Sequence, residues 1–169
     1  MENTNVNHKK AGFALAIATA LAATPALAAD KRSSVSLFGN ITVPEEGDNN
    51  GSLFLSYGYL LTDSLELEGG VSQTFSRGFT STNVDFGVKY YFGSVGSARG
   101  AVPYVKANIG RGTSSGGGSG SNTFGGGAGL EFPIGENTAT FVEGVYQQVK
   151  FSGFSTSQFS MQVGLKLRF

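Results

Sequence analysis

The chain has 169 residues, with twelve basic and twelve acidic side chains, so it lacks the strongly basic balance that a nucleic-acid partner requires. Its 40% hydrophobic content is diluted to a mean hydropathy of −0.03, which excludes a bundle of membrane helices built from runs of ~20 apolar residues. The absence of cysteine excludes disulfides and thiolate metal centres.

In chain order, Lys9 and Lys10 precede the apolar run AGFALAIATALAA, Pro25 breaks it, and Ala26-Leu27-Ala28 supplies small residues. This pattern predicts a Sec-type signal peptide over residues 1–29 and a second domain over 30–169. An uncut anchor helix is the weaker alternative, because the run is shorter than the ~20 residues of a spanning helix. From there a period-two alternation recurs between turn signals. Strands are predicted at SVSLFGNITV (34–43), SLFLSYGYLL (52–61), LELEGGVSQT (65–74) and NVDFGVKYYF (83–92). Four more follow at VPYVKANIG (102–110), TFGGGAGLEF (123–132), TATFVEGVYQQVK (138–150) and the closing FSMQVGLKLRF (159–169). Most approach the ~9 to 11 residues that a tilted strand needs to cross a bilayer.

An even number of antiparallel strands, each with one apolar face, predicts an all-β fold: an eight-stranded up-and-down transmembrane barrel, closed because lipid tolerates no unpaired edge. Loops at 44–51, 76–82, 111–122 and 151–157 then face outside, and the C-terminus returns to the periplasm. Tyr57, Tyr59, Tyr90, Phe92, Phe132 and Phe169 sit near strand ends, where an interfacial girdle belongs. A soluble exported barrel binding an apolar ligand would place the same apolar residues inward.

With the apolar parity outward, Glu66, Glu68, Asp85, Lys89, Lys106, Glu131, Glu143, Lys166 and Arg168 point into the lumen. Hairpin symmetry about the external loops sets Glu68 opposite Lys89, Lys106 opposite Glu131, and Glu143 opposite Lys166. Charge pairing of this kind is what a narrow lumen demands, since an unpartnered buried charge is costly. Eight strands leave an interior that side chains can fill, which predicts a plugged barrel. A charged ring that conducts ions is the functional competitor. In the seventh strand the alternation would turn Phe141 and Val145 inward.

Over residues 33–169 the chain resembles the small outer-membrane β-barrel family that includes outer-membrane protein X and the transmembrane domain of outer-membrane protein A. The resemblance rests on YGYLLTDSLELEGGVS, on KYYFGSVGSARGAVPYVKANIG and on the closing alternation. It implies a location in the bacterial outer membrane, contact with its lipid and lipopolysaccharide, and a monomer. It also implies that Phe169, with Val163, Leu165 and Leu167, is the signal read by the barrel-assembly machinery. Arg77, Phe79, Phe151 and Phe154 are candidates for external contact, and Glu45, Glu46 and Asp48 make the first loop acidic. No cofactor, metal or catalytic residue is expected. The single histidine, His8, falls within the leader, so histidine-based nucleophile activation is absent from residues 30–169. The glycine-rich TSSGGGSGSNTFGGGAG lacks the Gly-Lys-Ser/Thr of a phosphate loop. The function predicted is non-catalytic, in envelope structure or surface interaction, with a small-conductance channel as the alternative.

Overall fold

The computed structural model describes residues 32–42, 50–76, 79–95, 100–114, 120–153 and 155–169. The leader expected at 1–29, the acidic residues Glu45, Glu46 and Asp48, and the contact candidates Arg77 and Phe154 lie outside these. Eight strands follow in order: β1 (Ser33–Thr42), β2 (Asn50–Thr62), β3 (Leu65–Ser76), β4 (Phe79–Tyr91), β5 (Val102–Ser114), β6 (Ser121–Pro133), β7 (Thr138–Lys150) and β8 (Ser155–Arg168). Each pairs antiparallel with its neighbour in sequence, and β8 pairs with β1 to close the sheet into a barrel. The all-β, eight-stranded fold expected from the alternation is therefore the fold observed.

Alternation works because successive side chains of a strand point to opposite faces, so one parity meets lipid or solvent and the other meets the interior. Phe86, Ile109 and Val163 are outward and 62%, 58% and 60% exposed, whereas Lys166, Glu66 and Glu131 of the other parity are wholly buried. A soluble barrel would invert this arrangement. Phe141 and Val145 are buried on the inward side of β7, as the alternation requires. Phe169 departs from its outward neighbours: its side chain is only 8% exposed, and its main chain exchanges hydrogen bonds of 2.9 and 3.1 Å with Ser33.

Several strands outrun their predicted limits. The β3–β4 ladder continues to Ser76↔Phe79, and β5 and β6 extend to Ser114 and back to Ser121, taking up residues expected in loops. Those segments are rich in Ser and Thr, so their hydropathy stops alternating while their backbone pairing goes on; Thr suits a pleated surface well.

The two ends of the barrel differ. At the proximal end, which holds Ser33 and Phe169, Thr62 Oγ1 accepts from the amides of Ser64 and Leu65 at 3.3 and 3.1 Å and tightens the β2–β3 turn. Val95, in the connection that follows β4, is buried at this end against Leu60, Tyr91, Val102 and Tyr104. The β1–β8 seam is the shortest pairing, running only from Ser34↔Arg168 to Gly39↔Val163, whereas β7–β8 runs from Thr138↔Leu167 to Lys150↔Ser155. The distal end carries the β1–β2, β3–β4, β5–β6 and β7–β8 hairpins.

Candidate functional site

The inward charges gather in the proximal half. Lys166 of β8 is wholly buried; its ammonium donates to both oxygens of Glu66 at 2.8 and 3.0 Å and to Tyr91 Oη at 2.9 Å. Glu68 and Glu131 stand 3.5 and 3.6 Å from the same nitrogen. Ser34 Oγ donates to Glu66 at 2.6 Å, and Tyr91 Oη lies 2.5 Å from Glu66 Oε2 and 3.1 Å from Glu131 Oε2. Arg168 donates to Glu131 at 2.5 Å. Each carboxylate thus has at least one cation, and Glu66 and Glu131 accept from hydroxyls as well, which is the condition under which buried charges are tolerated.

A second group adjoins the first. Lys89 donates to Glu68 at 2.8 Å and lies 4.5 Å from the Tyr104 ring centroid. Lys106 forms an ion pair with Glu143, whose other oxygen accepts from Tyr104 Oη at 2.8 Å. On the distal side of this group, Phe38 stacks on Phe54 with centroids 4.6 Å apart and meets Phe141 edge-on at 5.5 Å. These three rings form an apolar layer within the barrel.

Of the pairs expected of the hairpins, Glu68 with Lys89 forms, though not directly opposite in the ladder, and the other two are replaced. Lys89 faces Glu66 in the ladder, two residues from Glu68; Lys106 faces Gly127, four residues from Glu131; Glu143 faces Gln162, four residues from Lys166. Each displacement is even, so every side chain keeps its face even though its neighbour changes. Lys89 still reaches Glu68, diagonally on the neighbouring strand, whereas Lys106 and Lys166 find their partners across the lumen instead of along the ladder. Lys106 and Tyr104 of β5 reach Glu143 of β7 by passing over β6, where their ladder partners are Gly127 and Gly129. A Cβ on Gly129 would lie 2.6 Å from the Tyr104 ring. The missing side chains of β6 open the passage.

Asp85 is apart from the cluster and makes no salt bridge among the described residues. It lines a distal cup of about 240 Å³ together with uncharged residues such as Ser72, Thr74, Asn83, Thr123 and Gln147. Phe151, one of the contact candidates, is half-buried at the same cup; Phe79 opens β4, with its side chain outside the described residues. Between cup and cluster, a void of about 60 Å³ adjoins Asn108 and the buried Gln162, each with a carbonyl oxygen that no described residue satisfies. A space of that size has room for water. Of the assembly-signal residues, Val163, Leu165 and Leu167 point outward from β8.

Sequence reasoning missed Tyr91, Tyr104, Ser34 and the ring layer. The signal was present: Tyr91 shares the inward parity of Lys89, and Tyr104 that of Lys106, but an aromatic residue near a strand end reads equally well as part of a girdle. Among the described residues no group of three or more His, Asp or Glu could hold a metal ion.

A family model described as outer membrane protein beta-barrel domain matches residues 13–169. Among solved structures, Neisserial surface protein A is similar at 15% identity with a TM-score of 0.59, covering 81% of this chain and 95% of that chain. OprG from Pseudomonas aeruginosa is similar at 12% identity and TM-score 0.55, covering 81% and 95%. The outer membrane enzyme PagL is similar at 18% identity and TM-score 0.50, covering 80% and 99%. At these identities the likeness is one of fold. No curated protein matches by sequence.

Proposed function

Because the chain belongs to the outer-membrane β-barrel domain family, with a match over residues 13–169, we propose that it is a barrel of the bacterial outer membrane whose lumen is filled by its own side chains. On this reading residues 1–29 are a removed leader, the proximal end faces the periplasm, and the protein serves envelope structure or surface interaction without catalysis. One observation carries it. The cluster around Lys166, together with the Phe38, Phe54 and Phe141 layer, leaves the inward charges of the proximal half paired with one another instead of lining a path.

The non-catalytic part has its own support. Cysteine is absent, the one histidine is His8, and the described carboxylates of the proximal half are already engaged by cations, which leaves none of them as a free base for a nucleophile. PagL, an enzyme, shares the fold, and fold alone does not decide function.

Planar-bilayer recording on residues 30–169 tests the filled lumen. The expected result is a silent wild type and a leaky or poorly folding Lys89→Ala, Lys106→Ala double variant. Steady, ion-selective current through the wild type would replace this reading with a channel. Shortened acyl-chain products from lipopolysaccharide incubated with the protein would replace it with an enzyme.

A further inference from the structure

The outward face at the distal end carries a row that the filled lumen does not explain. Arg111 of β5 is paired with Asn122 of β6, which is paired in turn with Lys150 of β7, so three polar side chains stand abreast on adjacent strands. All three share the outward parity of Ile109, Phe124 and Tyr146. The two cations are one strand apart on either side of Asn122, about 9 to 10 Å between main chains at the usual strand spacing. No described carboxylate pairs with either. Lys150 instead lies over the Phe124 ring at 5.4 Å from its centroid.

Directly below the row is a groove of about 300 Å³ on the barrel wall, lined by Val84, Phe86, Ile109 and Phe124, with Arg111 and Asn122 at its upper edge. Toward the proximal end it continues onto small outward residues: Ala107 pairs with Gly126, and Ala128 with Gly144. A cationic rim above a shallow apolar trough has the charge and shape of a lipid whose anionic head is held and whose chain lies against the wall.

We propose that Arg111, Asn122 and Lys150 bind the phosphate of an outer-leaflet lipid, the acylated and phosphorylated sugar lipid that covers the distal end, and that the Phe86, Ile109 and Phe124 groove seats one of its acyl chains. The assignment rests on the orientation given under Proposed function. Arginine supplies a planar fork for phosphate oxygens, lysine a point charge, and the asparagine amide a donor between them. Each basic residue near an anionic lipid surface contributes an attraction worth about a fivefold change in binding, so removal of both lowers affinity about thirtyfold.

The test uses the folded chain of residues 30–169 in zwitterionic micelles, titrated with diphosphoryl lipid A or with its dephosphorylated form, and native mass spectrometry reads the fraction of protein carrying one lipid. The wild type is expected to prefer the diphosphoryl form, and the Arg111→Gln, Lys150→Gln variant to lose that preference while keeping heat-modifiable gel mobility. Equal binding by variant and wild type, or wild-type binding indifferent to phosphate, overturns the site. The wild-type comparison stands even should the variant fold poorly. Orientation is read separately: a Ser152→Cys thiol, unique in this cysteine-free chain, is labelled on intact cells by an impermeant maleimide. Protection of that thiol would show that the orientation has failed, and would overturn the assignment to the outer leaflet whatever the micelles report.

Discussion

Lys166 touches Glu66, Tyr91, Glu68 and Glu131 from one buried nitrogen, so its removal leaves several carboxylates with one cation fewer. Breaking a buried ion pair from one side costs about 3 to 5 kcal/mol, because the abandoned charge stays desolvated. Lys166→Met is expected to lower the unfolding free energy of the barrel in lipid vesicles by that order, read as a lower urea midpoint for the shift between compact and heat-modified gel bands. Adding Glu66→Gln should recover part of the loss, since it removes the charge that Lys166 had neutralised. A double variant no better than the single would show that Glu66 does not depend on Lys166.

In β6 the faces differ in how much side chain they tolerate. Gly129 faces inward beneath the Tyr104 ring, whereas Ala128 faces outward with exposed surface around it. Gly129→Leu is expected to destabilise by about 1 to 3 kcal/mol through overpacking, and to break the Tyr104 to Glu143 hydrogen bond, while Ala128→Leu stays near neutral in lipid. Urea titrations of the two variants side by side decide it. This strand also shows where the sequence was informative. Faces were readable because period-two alternation is local: Lys89, Lys106 and Lys166 could be turned inward from their own neighbours alone. Partners were readable only between neighbouring strands, as for Lys89 and Glu68; Lys106 instead meets Glu143 across a strand whose contribution is the absence of side chains. The alternation turns Gly127 and Gly129 inward on the sixth strand, where a glycine leaves room for long charged side chains, but nothing local says that β5 reaches β7 through that gap. Nothing local in the β4–β5 connection marks Val95 as buried; only the fold shows it tucked beneath the barrel.

For the molecule as a whole, the outward surface is an apolar band broken near the distal rim by Arg111, Asn122 and Lys150. Val163 stands midway along the apolar run of β8 from Phe159 to Leu167, and Ser157 lies near its distal edge. Val163→Arg is expected to cost about 2 to 4 kcal/mol in lipid and Ser157→Arg about 0 to 1, following the depth dependence of charge on a barrel's lipid face. Equal costs would remove the band from the bilayer midplane and shift the membrane position of the barrel.

The β1–β8 seam, the shortest of the eight ladders, has a counterpart inside the barrel. Lys166 and Arg168 leave β8 and end on Glu66 of β3 and Glu131 of β6, strands that do not border the seam. The barrel is therefore built like a spoked wheel. Cutting the rim where it is thinnest does not free β8, because its spokes still run to the opposite side.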